Sequence, residues 1–550
     1  MVSAVAISAI GSAAAAQVSG AIPGQISQLP PTPVAPVVIP DIRISQPDLE
    51  SEREAAGPSI VVHSVHITGH TLFTESELIA ASGFTPDRSL SLSDLRHMAR
   101  LITQYYNMRG YIVAQAYVSA QQITDGSVTI AVIEGHYGEI ELQNSTNLRN
   151  SVATGILAGL DKGDVVASAP LERRLLLLSD LPGVVVHSRL SPGQAVGDTD
   201  LTIDLVPGPR LSGSVEADNA GNRYTGANRA GALINLNNPT GHGDQLSLRG
   251  LTSGSGLNYV RASYQTQLNV ATIGVAYAKL WYELGKEFSI LDATGTAEYV
   301  SLYGSYPLIR SRRTNLYLLA NLEHRTFKDK VGAAASIVDR RSDVLAVGLS
   351  GDHRDRFGGG GSNSYSATWT LGKLDIQTDD VRAFDQISAR TNGQYNKLAF
   401  SLARLQMLGG PFSLYGLVRG QVASKNLDIS EKMELGGAYG VRAYPEGEAY
   451  GDQGYIATVE GRMTLPLSYS GPGRTQVFVF AETGEVDLVH SAWAPGSNSQ
   501  RRSGGGVGVS WASNNNFLLS AVYAHRFGST RATSGPDSPD RVWLRIAKVF

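Results

Sequence analysis

The sequence predicts a membrane β-barrel of about sixteen antiparallel strands that follows two small α+β modules. From about residue 209 onward, segments of alternating apolar and polar residues recur at roughly 20-residue spacing. Before them, helical periodicity appears twice in the same order of elements. No apolar run of about 18 residues follows the N-terminus, so a membrane protein of this composition has to span the bilayer as a barrel.

Composition and motifs exclude several classes of function. Net charge is −3, which provides no basic field for nucleic acid. The chain has no Cys, and it contains no Walker-type, G-x-S-x-G or H-E-x-x-H motif. The densest histidine group, His63, His66 and His70, has no Cys or Glu at ligand spacing. We therefore expect no catalytic residues, no metal site, no cofactor and no nucleic-acid partner.

The amino-terminal part predicts export from the cytoplasm. Residues 2–16 are small and apolar and end in Ala14-Ala15-Ala16, which is typical of a signal peptide over residues 1–16. The missing Lys or Arg at its start would be explained by a true start codon further upstream, and an Ala-rich tail is the alternative. Residues 17–57 are Pro-rich and predict an extended linker with little room for a long helix.

Residues 58–136 and 137–208 predict two modules of the order β-α-α-β-β. In the first module, Thr74 and Glu77 form a capping box that opens a short helix. The predicted elements are strand Ile60–Ile67, helix Ser93–Met108, and strands Tyr111–Val118 and Ser127–Ile133. The second module repeats them as strand Glu139–Leu142, helices Leu148–Leu160 and Leu171–Ser179, and strands Val184–Leu190 and Leu201–Val206.

Residues 209–550 predict the barrel. Roughly 340 residues, at about 21 per strand and turn, give about sixteen strands, and single-chain outer-membrane barrels have even numbers. In strand Tyr455–Leu465, one face is apolar and the other carries Thr458, Glu460 and Arg462, which predicts charges facing a lumen. The last strand, Val542–Phe550, is amphipathic, with Lys548 able to snorkel. A soluble β-sandwich fits these features less well.

A long strand-poor segment, roughly Ile429 to Gly454, follows about eleven predicted strands and precedes about five. It contains Arg442 within a Gly-rich stretch, which on its own is typical of a solvated turn. If this segment folds into the lumen, Arg442 needs a carboxylate partner, because an unpaired buried guanidinium is costly. Glu460 and Glu482 on the following strands are the two candidates.

Several short motifs together resemble one family. They are Gly110-Tyr111, Asp125-Gly126 and Val132–Gly135 in the first module, Asp218–Gly221 and Asn238–Gln245 in the first hairpins, and Ser305–Leu308 with Arg310 at a mid-barrel turn. On these residues, positions 59–550 resemble two-partner secretion transporters of the hemolysin-secretion and filamentous-hemagglutinin type. The resemblance implies that both modules are polypeptide-transport-associated (POTRA) domains.

The resemblance also assigns a candidate site. The family's lumenal Val-Arg-Gly-Tyr corresponds to Val441-Arg442-Ala443-Tyr444, and its strand motif Phe-x-Asp-x-Gly corresponds to Phe480, Glu482 and Gly484. Ala443 in place of Gly predicts a backbone without a strongly positive φ. Glu in place of Asp keeps the charge and lengthens the reach, so the resemblance favours Glu482 as the partner of Arg442. Many family members also have a plug helix, against which the prolines of the linker argue.

The implied function is export of one large secreted partner, hemolysin-like or adhesin-like, across the outer membrane of a Gram-negative bacterium. The unfolded partner would dock on periplasmic POTRA domains, by strand addition in a groove that includes Leu95, Ile102, Tyr111, Val113 and Val118. The barrel would contact outer-membrane lipid, and Phe550 would be read by the outer-membrane assembly machinery. An assembly factor usually carries more modules, and a passive porin needs none; both remain alternatives.

Overall fold

The computed structural model describes residues 42–44, 58–123, 125–466 and 473–550. The predicted signal peptide and most of the predicted linker lie outside these residues. The chain divides into two compact units that adjoin in sequence at Gly208 and Pro209. None of the helices within the described ranges has the length and apolar character needed to cross a bilayer.

The first module contains a short helix and a longer helix packed on a three-stranded sheet. After β1 (Ile42–Ile44), its elements are β2 (Ser59–Val62), β3 (Ser64–Thr68), α1 (Glu75–Ser82), β4 (Arg88–Ser91), α2 (Leu92–Met108), β5 (Gln115–Val118) and β6 (Ser127–Ile133). The sheet order is β3-β6-β5, and β2 pairs with β4. The predicted capping box of Thr74 and Glu77 is confirmed.

Two strand predictions in this module need correction. The strand predicted over Ile60–Ile67 is two strands separated at His63, because the N–H of His63 donates to Gly126 O at 2.8 Å instead of continuing either ladder. The strand predicted from Tyr111 begins only at Gln115. A turn precedes it, in which Ala114 N–H donates to Tyr111 O at 3.3 Å.

A buried carboxylate joins the end of β6 to the turn before α1. Glu134 is 2% exposed and accepts hydrogen bonds from the N–H groups of Thr71 and Leu72, at 2.7 and 2.9 Å, and from the Tyr106 hydroxyl at 2.8 Å. Burial acts to raise the pKa of Glu134, but these hydrogen bonds to the charged form outweigh it and lower that pKa. Burial and the neighbouring carboxylate raise the pKa of Tyr106. Glu134 is therefore a structural group of the first module.

The second module repeats the predicted order. It consists of β7 (His136–Asn144), α3 (Asn150–Leu157), α4 (Ser168–Ser179), β8 (Val184–Pro192) and β9 (Asp198–Pro207). The sheet order is β1-β8-β9-β7, so the short β1 adds to the edge of β8 in parallel. Each predicted element exists, with boundaries shifted by a few residues.

The carboxyl-terminal unit is a closed barrel of sixteen antiparallel strands, as predicted. The strands are β10 (Leu211–Asp218), β11 (Arg229–Asn237), β12 (Gln245–Thr252), β13 (Leu257–Leu268), β14 (Ala271–Glu283), β15 (Ala293–Arg310), β16 (Thr314–Val331), β17 (Ser336–Asp355), β18 (Gly361–Ile376), β19 (Gly393–Gly409), β20 (Phe412–Ala423), β23 (Gln453–Thr464), β24 (Gly473–Asp487), β25 (Ser499–Ser513), β26 (Phe517–Arg526) and β27 (Asp540–Val549). Two two-residue strands, β21 (Met433–Glu434) and β22 (Tyr450–Gly451), lie between β20 and β23, and one helix, α5 (Asp379–Ile387), lies between β18 and β19.

The last strand closes the barrel on the first. Gly213 N–H donates to Phe550 O at 2.8 Å, and Phe550 N–H donates back to Gly213 O at 3.0 Å. Val542, Leu544 and Ile546 are each about half exposed on the outer face. Closure leaves no open sheet edge, which an apolar bilayer would not tolerate.

The two faces of β23 are separated as predicted. Tyr455 and Val459 are exposed on the outside, whereas Thr458 and Glu460 are buried on the inside.

The prediction of a mid-barrel turn at Ser305–Leu308 is wrong, because these residues lie within β15. The pairing of β15 with β16 shifts register between Pro307 and Ile309, since proline lacks the N–H that a regular ladder requires.

Candidate functional site: a loop inside the barrel

The longest connection among the described barrel strands, residues 424–452, folds against the inner wall. Eleven strands precede it and five follow it. Its two halves pair at a narrow neck, where Met433 stands opposite Gly451 in the β21–β22 pair. Beyond the neck, Val441 N–H donates to Leu435 O at 2.8 Å, which turns the chain tightly at the tip. We call residues 424–452 the lumenal loop.

Apolar packing holds the tip of the lumenal loop against the inner wall of the barrel, in a position that we call its seat. Leu435, Val441, Ala443 and Tyr444 are all between 0 and 1% exposed. They pack in one cluster with inward-facing residues of the wall, namely Ile456 on β23, Phe480 and Val486 on β24, and Ala524 on β26. The barrel interior is therefore a core at this level, in which the loop supplies four of the eight buried apolar residues.

Arg442 is the charged centre of this seat. Its Nε lies 3.0 Å from Glu482 Oε2, and its backbone N–H donates to the other oxygen of the same carboxylate. Its second guanidinium branch lies 2.8 Å from Glu460 Oε1, so the structure brings Arg442 to both candidate carboxylates. The guanidinium also stacks on Phe480, with Cζ 3.6 Å from the ring centroid. Two carboxylates and one aromatic face thus offset the cost of burying this cation.

Further contacts spread around the wall. The indole Nε1–H of Trp543 donates to Arg442 O at 2.8 Å, and the Tyr444 hydroxyl donates to Thr530 O at 3.0 Å. Glu448, which is 0% exposed, lies 2.6 Å from Arg502 on β25 and accepts from the N–H of Thr533 at 2.8 Å. Sequence reasoning missed the Glu448–Arg502 pair, because the two residues are distant in sequence and neither belongs to a recognised motif.

Glycines in the wall make room for the loop. A Cβ at Gly504 would lie 2.4 Å from the Cβ of Ala443, and one at Gly484 would lie 2.6 Å from Leu435 Cδ1. Ala443 does not have a positive φ, as its presence in place of glycine predicts. A side chain at position 484 would collide with the loop, so the strand motif requires Gly484. Gly504 lies opposite Ala443, the residue at which this chain departs from the family motif.

The proposed docking residues of the first module are not all accessible. Leu95 and Ile102 are 2% and 0% exposed and belong to the core, so including them in a docking groove was wrong. The apolar face of α2 packs inward against the sheet. Tyr111, Val113 and Val118 are half-buried. Tyr117, which sequence reasoning missed, is 45% exposed on the edge strand β5.

Two of the three histidines in the predicted group, His63 and His66, take part in ordinary surface contacts. His63 Nδ1 lies 2.6 Å from Asp87, and His66 Nδ1 lies 3.4 Å from Glu75. Among the residues that the structure describes, no group of three or more His, Cys, Asp or Glu is arranged to hold a metal ion.

A closed sixteen-strand barrel that holds one of its own loops, preceded in the chain by α/β modules, defines the class of outer-membrane assembly and translocation barrels. Within that class, residues 197–511 match the family model of the haemolysin secretion/activation protein ShlB/FhaC/HecB, and residues 60–135 match the ShlB-type POTRA domain. The chain belongs to the ShlB/FhaC/HecB family of haemolysin secretion/activation proteins.

Curated relatives agree with this assignment. The heme/hemopexin transporter protein HuxB of Haemophilus influenzae strain 86-028NP is 28% identical over 473 residues, covering 84% of this chain and 82% of the relative. HuxB of strain Rd is 30% identical over 387 residues, covering 69% and 68%. The outer membrane transporter CdiB of Dickeya dadantii is 22% identical, covering 75% and 74%.

Solved structures show the same fold. CdiB from Escherichia coli matches with a TM-score of 0.69 at 21% identity, covering 92% of this chain and 93% of that chain. BamA from Haemophilus ducreyi matches with 0.55 at 14% identity. The family and the relatives identify this chain as an outer-membrane transporter of two-partner secretion. They support that function over the assembly-factor alternative.

Proposed function

We propose that this transporter exports one large secreted protein through the barrel lumen, and that the lumenal loop leaves its seat while the partner passes. The observation that carries the proposal is the occupied interior: Val441, Ala443 and Tyr444 fill the space beside Phe480, and Arg442 bridges two wall carboxylates. An extended chain needs that space, so the loop is a two-state element.

The partner is a protein of hemolysin or adhesin type that crosses the periplasm unfolded. One relative, HpmB of Proteus mirabilis, is named a hemolysin transporter, and HuxB is named a heme/hemopexin transporter. Folding of the partner outside the cell is a sufficient driving force in principle, and the sequence carries no nucleotide-binding motif.

The first module receives an extended segment of the partner at the β5 edge. This strand pairs with β6 on one side only in the described sheet. The N–H of Ala116 is directed away from β6 and donates to Thr103 Oγ1 at 2.9 Å. Val118, two residues further on, directs its N–H to the same side. Tyr117 on β5, and Tyr111 and Val113 just before it in the sequence, supply apolar contacts to the bound segment.

Membrane insertion completes the proposal. The signal peptide over residues 1–16 directs the chain to the periplasm, the assembly machinery reads the terminal strand with Phe550, and the exposed apolar face of the barrel contacts outer-membrane lipid. Phe550 is 53% exposed on the outside of the barrel, where such a reader has access to it.

Deletion of residues 59–208 tests the proposal. The remaining barrel should reach the outer membrane in a heat-modifiable form but export no partner, because the docking modules are missing. Normal export by this truncated protein would exclude docking on the modules. A general loss of other outer-membrane barrels in the same strain would instead support the assembly-factor alternative. A long, repeat-rich secreted protein encoded beside this gene would identify the partner.

A further inference from the structure

The first half of the lumenal loop makes a separate set of ion pairs on another sector of the wall. Arg442 contacts β23 and β24, whereas Asp428 and Glu431 contact strands β16, β17 and β19. The polarity is reversed: here the loop supplies carboxylates and the wall supplies the cations. We call Asp428, Glu431 and their wall partners the second anchor.

Glu431 is at the centre of the second anchor. Its carboxylate pairs with Arg325 on β16 and lies 2.8 Å from Lys397 Nζ on β19. Its backbone carbonyl accepts from Lys397 Nζ and from Gln421 Nε2, both at 2.9 Å. The side chains of Glu431 and Arg325 are 2% and 4% exposed, so the pair is shielded from solvent screening.

Asp428 adds a second contact three residues earlier. Its Oδ2 lies 2.5 Å from Arg340 on β17, while its Oδ1 accepts from the N–H and the hydroxyl of Ser430, at 3.0 and 2.7 Å. These bonds cap the short turn Ile429–Glu431, and this turn presents both carboxylates to the wall. The local sequence Asp-x-Ser-Glu thus positions two acids at once.

The wall cations have a second partner that stays on the wall. Arg325 also lies 2.6 Å from Glu323 on its own strand, and Arg340 also pairs with Asp329 on β16. Lys397 Nζ donates to Gln421 Oε1 at 3.3 Å. When the loop leaves, Arg325 and Arg340 remain ion-paired and Lys397 keeps a hydrogen bond to the neutral amide of Gln421, so neither guanidinium becomes an isolated buried charge.

One of the two carboxylates in the Arg442 seat shares this property. Glu460, which contacts Arg442, also lies 2.6 Å from Arg462 on the same strand. A contact that leaves a wall charge without an ion pair, as that of Arg442 with Glu482 does among the described residues, makes opening more costly. A contact in which the wall charge keeps a partner holds the loop but can release it.

We infer that Asp428 and Glu431 are positioning residues that hold the lumenal loop closed, and that export requires this second anchor to release together with the Arg442 seat. The inference rests on the proposed release of the loop. It adds that a sector of the wall remote from the recognised motifs sets how often the channel opens, through the pairing of Glu431 with Arg325 and Lys397.

Single-channel recording of the purified full-length protein in planar bilayers tests the inference without any partner. Glu431→Gln keeps the shape and removes the charge, so the open probability should rise by roughly tenfold, which corresponds to about 1.4 kcal/mol. Asp428→Asn should raise it by a smaller factor. Glu298→Gln is the control for loss of a carboxylate. Glu298 on β15 lies 2.6 Å from Lys279 on β14, and among the described residues its ion pair involves no part of the loop.

Two further variants test the inference in case the single change at Glu431 is not sufficient. Glu431→Gln combined with Arg442→Ala should multiply the two single effects, because both contacts break in the same opening step. If Glu431→Gln does not give a heat-modifiable barrel, Lys397→Gln removes the same contact from the wall side and should raise the open probability likewise. Unchanged openings in the folded Glu431 or Lys397 variant would overturn the inference. Unchanged openings and unchanged export in Arg442→Ala would instead count against the proposed function itself.

Discussion

Arg442 and Glu482 are joined twice, once through the side chain and once through the backbone. Nε of Arg442 donates to Oε2 of Glu482 at 3.0 Å, and the N–H of the same residue donates to Oε1. One carboxylate therefore fixes both the guanidinium and the course of the chain at the tip of the loop. Side-chain replacement at position 442 removes only the first of these bonds.

Arg442→Ala should sharply reduce export and leave barrel assembly largely intact. Breaking a buried pair by removing one partner costs about 3–5 kcal/mol, so the loop loses its seated state, and a two-state element that cannot return to one of its states cannot complete an export cycle. Glu482→Ala should resemble it, and the double variant should be little worse than either single one. Secreted partner and heat-modifiable barrel are measured in parallel. Effects that simply add would show that the two residues act independently.

Gly504→Ala should displace the tip of the loop. The new Cβ would lie 2.4 Å from the Cβ of Ala443, closer than two carbon atoms can approach. The additional change Ala443→Gly should restore the seat in part, measured as protection of the loop from protease, because the new Cβ would still lie 2.9 Å from the backbone oxygen of His525. Gly461→Ala on β23 is the control, because its nearest neighbour, Val479 Cγ2, is 3.6 Å away. Equal damage from both glycine changes, or no rescue, would contradict the proposed packing.

Val118→Pro should weaken binding of the partner's amino-terminal region more than Val118→Ala does. Proline removes the outward N–H that strand addition uses, whereas alanine removes only part of a side chain. Binding to the purified transporter is measured by titration. Similar affinities for the two variants would mean that side chains, and not the backbone of β5, carry recognition.

The first module should lose stability in acid because of Glu134. Burial acts to raise the pKa of Glu134, but hydrogen bonds from Thr71, Leu72 and Tyr106 lower it below the unfolded value of about 4.3. This contribution is therefore fully present above that unfolded value and is lost as the pH falls through the lower folded pKa. Hydrogen exchange of residues 58–123 in the full chain should show constant protection near neutral pH and a decline below about pH 4.

Glu134→Gln should be less stable at neutral pH and should show a weaker dependence on pH in this range. Glu139→Gln is a suitable control, since its carboxylate is exposed on the second module. A decline of the same size in the Glu134 variant would assign the acid sensitivity to other groups.

The sequence predicts what depends on local periodicity and on motifs. The period of two and the spacing of turns predict sixteen strands, and the motifs around Arg442 and Phe480 select Glu482. The contacts of Glu431 with Arg325 and of Glu448 with Arg502 join residues 106 and 54 positions apart, and nothing in the local sequence indicates such pairs. Leu95 and Ile102 show a second limit of the sequence. Helical periodicity identifies the apolar face to which they belong, but it does not decide whether that face packs in the core or is exposed to a partner.

The central claim, that the lumenal loop leaves its seat during export, is tested most directly by a reversible crosslink. A Cβ at Gly535 would lie 3.8 Å from the Cβ of Pro445, within the disulfide range of about 3.5–4.5 Å. The chain has no Cys, so Pro445→Cys with Gly535→Cys can form only this bond within the protein. With each single cysteine variant as a control, secretion of the partner should stop in the oxidised double variant and return after reduction. Secretion at the wild-type rate from the fully oxidised protein would contradict the account.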